Sequence, residues 1–237
     1  MAQRIAIIPA RGGSKRIPDK NIRDFCGKPM ISYILDTAKK SELFDVIHVS
    51  TDSERIAETV TKLGFSVDFM RPANLADDHT TIMPVLRYVV DTYHKRDVDF
   101  EEVSLLMACA PLIEAKDLVG AAKLLQVHNC QKAVLGVAPY SAPIEWAFER
   151  HPDGTLAPLQ PGTFSVRSQD IEDKYFDAGM FCFFPIKSIL ESEGAGRDDG
   201  FIGQVLPKYK AIDIDQPEDW LLAEAIFMGL DGVKNNK

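Results

Sequence analysis

Short, almost wholly apolar runs recur along the first half of this chain, and segments of helical period separate them. Arg4-Ile-Ala-Ile-Ile8 is the first, stopped by Pro9. Asp45–Val49, Ser66–Met70, Val103–Ala108 and Lys132–Ala138 follow as further strands, Ser66–Met70 a short one. Between them, Pro29 opens a helix with Ile31, Ile34, Leu35 and Ala38 on one face. Ser53–Leu63 is a second helix, ended by Gly64, and Thr80–His94 a third, with Ile82, Val85, Leu86, Val89, Val90 and Tyr93 at helical spacing. Asp117 is expected to cap a fourth that runs to about His128. Strands that are apolar on both faces must be covered on both faces. The pattern therefore implies an α/β, Rossmann-like, mostly parallel sheet with helices on either side. Such sheets bind ligands beyond the carboxyl ends of their strands.

The rhythm breaks between residues 139 and 174, where Pro139, Pro143, Pro152, Pro158, Pro161, Gly154 and Gly162 crowd together. This segment reads as a β-rich excursion, with a turn at His151-Pro-Asp-Gly154. Residues 1–138 and 175–230 then form one α/β domain. Its later elements are a strand at Met180–Phe184, a last strand at Lys210–Ile214, and a helix from Pro217 to Gly229. Residues 231–237 read as a polar tail.

Composition narrows the function. With 46% apolar and 26% charged residues the chain is an ordinary globular one, not a disordered one. It has no apolar run long enough to cross a membrane, and its first apolar segment is too short for a secretory signal. Four scattered cysteines form no Cys-x-x-Cys pair, which points to a reducing, cytoplasmic setting. The net charge of −8 argues against a nucleic-acid partner. Yet residues 1–40 hold nine Lys/Arg against three Asp/Glu. A positive block in an acidic protein suggests one specific anion.

That block contains Pro9-Ala-Arg11-Gly12-Gly13-Ser14-Lys15-Arg16-Ile17-Pro18-Asp19-Lys20-Asn21, directly after the first strand. Two glycines let the backbone approach a ligand, and four cations can neutralise a polyphosphate. It is neither a Walker loop nor a dinucleotide fingerprint; Gly194-Ala-Gly196 comes late and follows no strand. Near the other end, Asp213-Ile-Asp215 sets two carboxylates at strand spacing, hence on one face. Such a pair suits Mg²⁺, which takes one or two carboxylates plus phosphate oxygens. The alternative is a solvated strand end beside a helix start. Asp52, after the second strand, suits either an orienting role at the ligand edge or a helix cap.

The loop resembles the signature of the sugar-acid cytidylyltransferases, the CMP-sialic acid synthetase group: Ala-Arg-x-Gly-Ser-Lys-x-x-Pro-x-Lys-Asn. Every fixed position is present, from Ala10 and Arg11 to Lys20 and Asn21. The resemblance implies the nucleotidyltransferase type of fold. It also implies that Ala10, Arg11, Gly12, Gly13, Ser14, Lys15 and Lys20 wrap the phosphates of CTP, with Asn21 toward the ribose or base. Ser50-Thr51-Asp52 and Arg71-Pro72-Ala73-Asn74-Leu75-Ala76 match further elements of the group, which makes Asp52 and Arg71 nucleotide-site candidates. Ile212-Asp213-Ile214-Asp215 matches its metal-binding pattern, so Asp213 and Asp215 are the expected Mg²⁺ ligands.

On the sugar side, Leu105-Leu-Met-Ala-Cys-Ala-Pro-Leu112 parallels an element that in the sialic acid enzymes carries Gln where this chain has Met107, and Arg where it has Ile113. Met107 and Ala108 suit a deoxy sugar with a terminal methyl. Arg167-Ser-Gln-Asp170 and Tyr175-x-Asp177-Ala-Gly179 resemble the pseudaminic acid branch of the group, although Met180 stands where that branch usually has Gln. Met107, Ala108, Arg167 and Asp177 are therefore the sugar-side candidates. The resemblance further implies a homodimer through residues 139–174. The expected reaction joins CTP and an anionic nonulosonic sugar acid to give a CMP-sugar and pyrophosphate. Arg11, Lys15, Lys20, Asp213 and Asp215 would carry it. Sialic, legionaminic and Kdo acids are alternative acceptors, and a non-catalytic nucleotide-binding module is the rival outside enzymes.

Overall fold

The first strand of the chain, Arg4–Pro9, lies inside the main sheet with a strand on either side, and Ile5, Ala6, Ile7 and Ile8 are wholly buried. In this computed structural model residues 3–192 and 200–235 are described; Gly194-Ala-Gly196 lies outside them. Along the chain, β1 (Arg4–Pro9) leads into β2 (Asp24–Phe25), β3 (Lys28–Pro29) and α1 (Met30–Ser41). Then come β4 (Val46–Ser50), α2 (Glu54–Lys62), α3 (Ile82–His94), β5 (Glu102–Leu106), α4 (Ala115–Val127) and β6 (Val134–Pro139). The excursion supplies β7 (Phe148–Arg150) and β8 (Leu156–Pro158). The chain returns through β9 (Tyr175–Pro185), α5 (Ile186–Leu190), β10 (Ile202–Val205) and α6 (Pro217–Asn235).

Six strands form the main sheet in the order β10-β6-β9-β5-β1-β4. β1 runs parallel to both β4 and β5, and β10 runs parallel to β6. Only β9 is antiparallel to its neighbours. Side-chain alternation along β1 sorts the core into two layers. Ala6 and Ile8 meet Ile31, Ile34 and Leu35 of α1 and Leu118 and Leu125 of α4. Ile5 and Ile7 meet Leu86, Val89 and Val90 of α3. A third cluster joins Ile17, Phe25 and Ile214 to Trp220 and Ala223 of α6.

Several local expectations change. Ser66–Met70 pairs in no ladder: its odd-numbered side chains turn inward, Phe69 against His48 of β4, and just after it Arg71 N bonds Thr51 O at the exit of that strand. The last sheet strand is β10, not Lys210–Ile214, which follows a 3₁₀ turn at Lys208–Lys210 and stays irregular. α4 starts at Ala115, because Asp117 acts from its third position, reaching back to accept the Glu114 N–H at 2.9 Å. α6 runs through Gly229 and through most of the expected tail, to Asn235. Two glycines in its last turns cost less than helix continuation returns. The turn at Gly154 forms as expected, with a φ of +90° that glycine tolerates, and it closes the β7–β8 hairpin.

One buried polar cluster fixes the outer edge of the sheet. His48 on β4 is 1% exposed, stacks on Phe69 and faces Tyr93. The Tyr93 hydroxyl donates its one proton to Asp68 at 2.5 Å, so its contact with His48 Nδ1, at 3.3 Å, is received from an Nδ1–H. His48 Nε2 is then the unprotonated nitrogen, buried without a partner. Burial pushes the imidazole down to about 4. Unfolded, it titrates near 6.5. The unfolded chain therefore binds the extra proton first as pH falls. The stabilisation from neutral His48 is complete above pH 6.5 and is lost toward pH 4, on the order of 3 kcal/mol in all. Denaturant unfolding across that range should show this acid-side loss in the native protein, and a flatter profile in His48→Gln.

Candidate functional site

The parallel pairing of β1 with β4 and β5 brings three carboxyl ends side by side, at Pro9, Ser50 and Leu106. The chain leaves the sheet at each, and the three exits frame a cavity of about 350 Å³. The basic loop forms one wall. Residues between Arg71 and Val85 form another, and Met107 and Asp215 complete it.

The loop is pinned at several points. Ala10 is wholly buried and its N–H bonds Ser50 O at 2.9 Å. Ile17 is driven into the third apolar cluster, which makes the loop fold back. Asp19, at a φ of +55°, accepts from Ile22 N and Arg23 N, and its carboxylate pairs with Arg55 at 2.7 Å. Gly12 donates its N–H to Asp52 Oδ1 at 3.0 Å, and a side chain there would begin 2.9 Å from Ser53 Cβ. The glycine is required by that close approach to β4's exit. Gly13 has open space around it and no such demand.

All four loop cations reach the cavity, and each is held by a carboxylate. Arg11 Nη1 donates to Asp78 Oδ1 at 2.6 Å, and Lys15 Nζ to Asp78 Oδ2 at 2.5 Å. Arg16 Nη2 donates to Asp215 Oδ2 at 2.7 Å, and Lys20 Nζ to Asp215 Oδ1 at 3.1 Å and Ile214 O at 2.6 Å. Hydrogen bonds from Lys15 and Arg11 hold the Asp78 carboxyl down at about 2. For Asp215 burial pulls upward, but Lys20 and Arg16 outweigh it and the group sits below the usual carboxylate range. Asp213 goes the other way. Burial and then the adjacent Asp215 raise it; nearby Lys20 opposes them without a hydrogen bond to this carboxylate, and the upward causes win.

Arg71 is buried rather than a surface side chain. Its Nε and Nη2 donate to Ser50 Oγ and O at 3.1 and 2.6 Å, and its edge lines the cavity. Asn21 also lines it, but the amide is spent internally, donating to Arg11 O and accepting from the Cys109 thiol. Asp52 does not cap α2; Ser53 does, accepting from Ile56 N, which frees Asp52 for the loop. Beside Asp77 and Asp78, the lining also has the apolar side chains Leu75, Ile82, Val85 and Met107, with Thr80 and Thr81.

Of the sugar-side candidates only Met107 lines this cavity. Ala108, and Cys109 and Ala110 after it, turn into the interior, because the exit from β5 packs down beside α1. Met180 is buried too. Asp177 bonds Gly179 N at 2.8 Å and lies close enough to Asp213 to raise its pKa. Arg167 pairs with Asp170 at 2.9 Å in the excursion, outside the cavity. Two partners went unanticipated: the Arg16–Asp215 bond and Asp78. The Asp77-Asp78 pair, just after the Arg71-Pro72 element, was the available sign, as the counter-charge to a basic loop.

The family model described as Cytidylyltransferase matches residues 5–139. The pseudaminic acid cytidylyltransferase of Campylobacter jejuni is 34% identical over 223 residues, 94% of this chain and 95% of that protein. The CMP-N,N'-diacetyllegionaminic acid synthase of Legionella pneumophila is 31% identical over 94% of this chain and 95% of its own length. Among solved structures, a CMP:2-keto-3-deoxy-manno-octonic acid synthetase complexed with CTP superposes with a TM-score of 0.70 at 18% identity, covering 96% of this chain and 99% of that one. At that identity the likeness is one of fold.

The two loop glycines separate cleanly in a test. Gly12→Ala should push the loop away from Ser53 and weaken pyrophosphate binding, measured calorimetrically, by about tenfold, a cost typical of local backbone displacement. Gly13→Ala should leave it nearly unchanged.

Proposed function

The chain belongs to the cytidylyltransferase family and is a nucleotidyltransferase, and from this premise we propose that it transfers CMP from CTP to pseudaminic acid. The observation that carries the reading is the convergence of Arg11, Lys15, Arg16 and Lys20 on one cavity that also has the apolar side chains Leu75, Ile82, Val85 and Met107 in its lining. A nucleoside triphosphate has that division: a polyanionic chain and a flat base. The base and ribose would lie against Leu75, Ile82 and Val85, with Thr80, Thr81 and Arg71 offering polar contacts. The acceptor is activated as a nonulosonic sugar acid, the substrate class shared by relatives matched along nearly the whole chain.

In the reaction the acceptor's anomeric hydroxyl oxygen bonds to the α-phosphorus, and the bond from that phosphorus to the bridging oxygen breaks. Pyrophosphate leaves with the electron pair. Arg11, Lys15 and Lys20 stabilise the charge that gathers on it. The hydroxyl proton passes to solvent.

Asp213 and Asp215 fit a magnesium ion. They are hard oxygen donors two residues apart, and the cation near Asp213, Lys20, bonds Asp215 instead. No three His, Cys, Asp or Glu groups cluster as a full metal cage among the described residues, so these two carboxylates would share the ion with phosphate oxygens. Bound there, Mg²⁺ would polarise the phosphate under attack. Lys20 and Arg16 keep Asp215 ionised and aimed at the cavity.

Arg167 and Asp177 would belong to the acceptor side. Arg167 lies in the excursion, so its route there is across a dimer. Residues 139–174 present Leu156, Leu159 and Phe164, each more than half exposed, beside Phe148 and Val166. Apolar area of this kind on a hairpin favours a second copy as its cover. No described helix is long and apolar enough to cross a membrane. Free thiols at Cys26, Cys109, Cys130 and Cys182, and a cytosolic nucleotide as substrate, support a cytoplasmic setting.

With CTP, Mg²⁺ and a panel of pseudaminic, legionaminic, sialic and Kdo acids, pyrophosphate release should be fastest with pseudaminic acid. Asp215→Asn should lower kcat by about a hundredfold or more, the scale of losing an electrostatic stabiliser. Turnover with sialic acid alone would overturn the acceptor assignment. Sedimentation should give a dimer, and Phe164→Asp should shift it toward monomer; a native monomer would remove the proposed route for Arg167.

A further inference from the structure

We infer that Asp78 is an internal counter-anion, a carboxylate seated on two of the phosphate-binding cations that is displaced when CTP binds and returns to them as pyrophosphate leaves. This rests on the cytidylyltransferase reading.

The geometry is that of a bridge. One oxygen of Asp78 meets Arg11 at 2.6 Å and the other meets Lys15 at 2.5 Å. A phosphate group spanning the two cations would use the same donors, so ligand and carboxylate exclude one another. The backbone here does not need Asp78. Its turn is held by the neighbouring residue: Asp77 Oδ1 accepts from His79 N at 2.9 Å, Thr80 N at 2.6 Å and Thr80 Oγ1 at 2.8 Å. Asp77 O separately accepts from Arg11 Nη1 at 3.1 Å. The Asp78 side chain, 40% exposed, can therefore swing out while the turn and the Arg11 anchor stay in place.

The consequence is quantitative. Any anion seated on Arg11 and Lys15 must first break the same two bonds, so Asp78 weakens triphosphate and pyrophosphate by a common factor. It leaves the nucleoside part untouched. The advantage lies at the end of the cycle. A site with four cations and no internal anion would retain the dianionic or more highly charged product. A carboxylate on the spot competes for the vacated cations and speeds release. Asp215, which neutralises Arg16 and Lys20, does not share this role, because the proposed metal ion claims its oxygens.

The test is Asp78→Asn, isosteric and without charge, with Asp78→Glu as the charge-restoring partner. By calorimetry, pyrophosphate and tripolyphosphate should bind Asp78→Asn roughly three- to tenfold more tightly than they bind the native protein, the range for losing a partly exposed ion pair. The gain should shrink in high salt. Cytidine affinity should not change. In turnover the KM for CTP and the inhibition constant for pyrophosphate should fall together while kcat does not rise, and Asp78→Glu should return toward native values. Unchanged or weaker pyrophosphate binding in Asp78→Asn would overturn the proposal, since a carboxylate that merely positions Arg11 and Lys15 predicts that result. Tighter pyrophosphate binding without pyrophosphate release from CTP and any sugar acid would keep the counter-anion and refute the enzymatic reading instead.

Discussion

Burial of β1 on both faces is the constraint from which the site follows. A strand with Ile5, Ala6, Ile7 and Ile8 wholly inside must have a strand on either side and helices above and below. Its neighbours β4 and β5 run parallel to it, so all three end at one edge. Pro9 stops the strand there, and the next residues leave the core as a polar loop. The phosphate loop thus needs no scaffold of its own. It hangs from the buried strand and is steadied by Ser50 and Asp52 from β4's exit. The fold positions the chemistry by exhausting the places where apolar chain can go.

Four cations within ten residues repel one another, and the loop is shaped by how that repulsion is offset. Carboxylates from two remote parts of the chain neutralise them in pairs. Asp78 holds Arg11 and Lys15, and Asp215 holds Arg16 and Lys20. This division also splits the Asp213–Asp215 pair. Asp215 receives hydrogen bonds from two cations and is driven down, while Asp213, which feels Lys20 only at a distance, is driven up by burial and by its neighbour. Two chemically identical groups two residues apart are made unlike by their burial and their partners. The acidic balance of the chain outside its first 40 residues therefore has a specific local use in these few groups.

The sheet was legible because its strands are apolar on both faces, and that pattern admits few alternatives. The loop was legible because cations, glycines and a strand end coincide. The failures share a cause. Ser66–Met70 and Lys210–Ile214 alternate like strands, and their side chains do bury alternately, but alternation reports burial of one face and carries no information about a hydrogen-bonded partner. β10, by contrast, was missed because Gly203 and Gln204 interrupt its apolar pattern. On the sugar side Ala108 is a pocket candidate from its place in a motif, yet it and the next two residues, Cys109 and Ala110, are buried. Small apolar residues serve a pocket and a core equally well, and only packing against α1 distinguishes them. Asp78 escaped notice because its partners lie 67 and 63 residues away in sequence.

Lys210 shows how the irregular carboxylate segment is nonetheless held. Residues 211–215 lie in no strand or helix, so their position depends on what clamps the two ends. At one end Lys210, only 2% exposed, donates to Asp117 at 2.5 Å and Glu114 at 2.7 Å. Both partners belong to the start of α4, immediately after the exit from β5. At the other end Asp219 accepts from Asp215 N and Gln216 N at 3.0 and 2.6 Å, starting α6. Between them Lys20 bonds Ile214 O, and Ile214 is buried against Trp220 and Phe25. A buried ammonium left with neither carboxylate would cost on the order of 3–5 kcal/mol, so the clamp is effectively obligatory. It ties the proposed metal ligands to the segment that carries Met107, and the phosphate loop to both. The three parts of the site are thus set relative to one another by charge burial rather than by the sheet, which is why strand pattern alone could not reveal their arrangement.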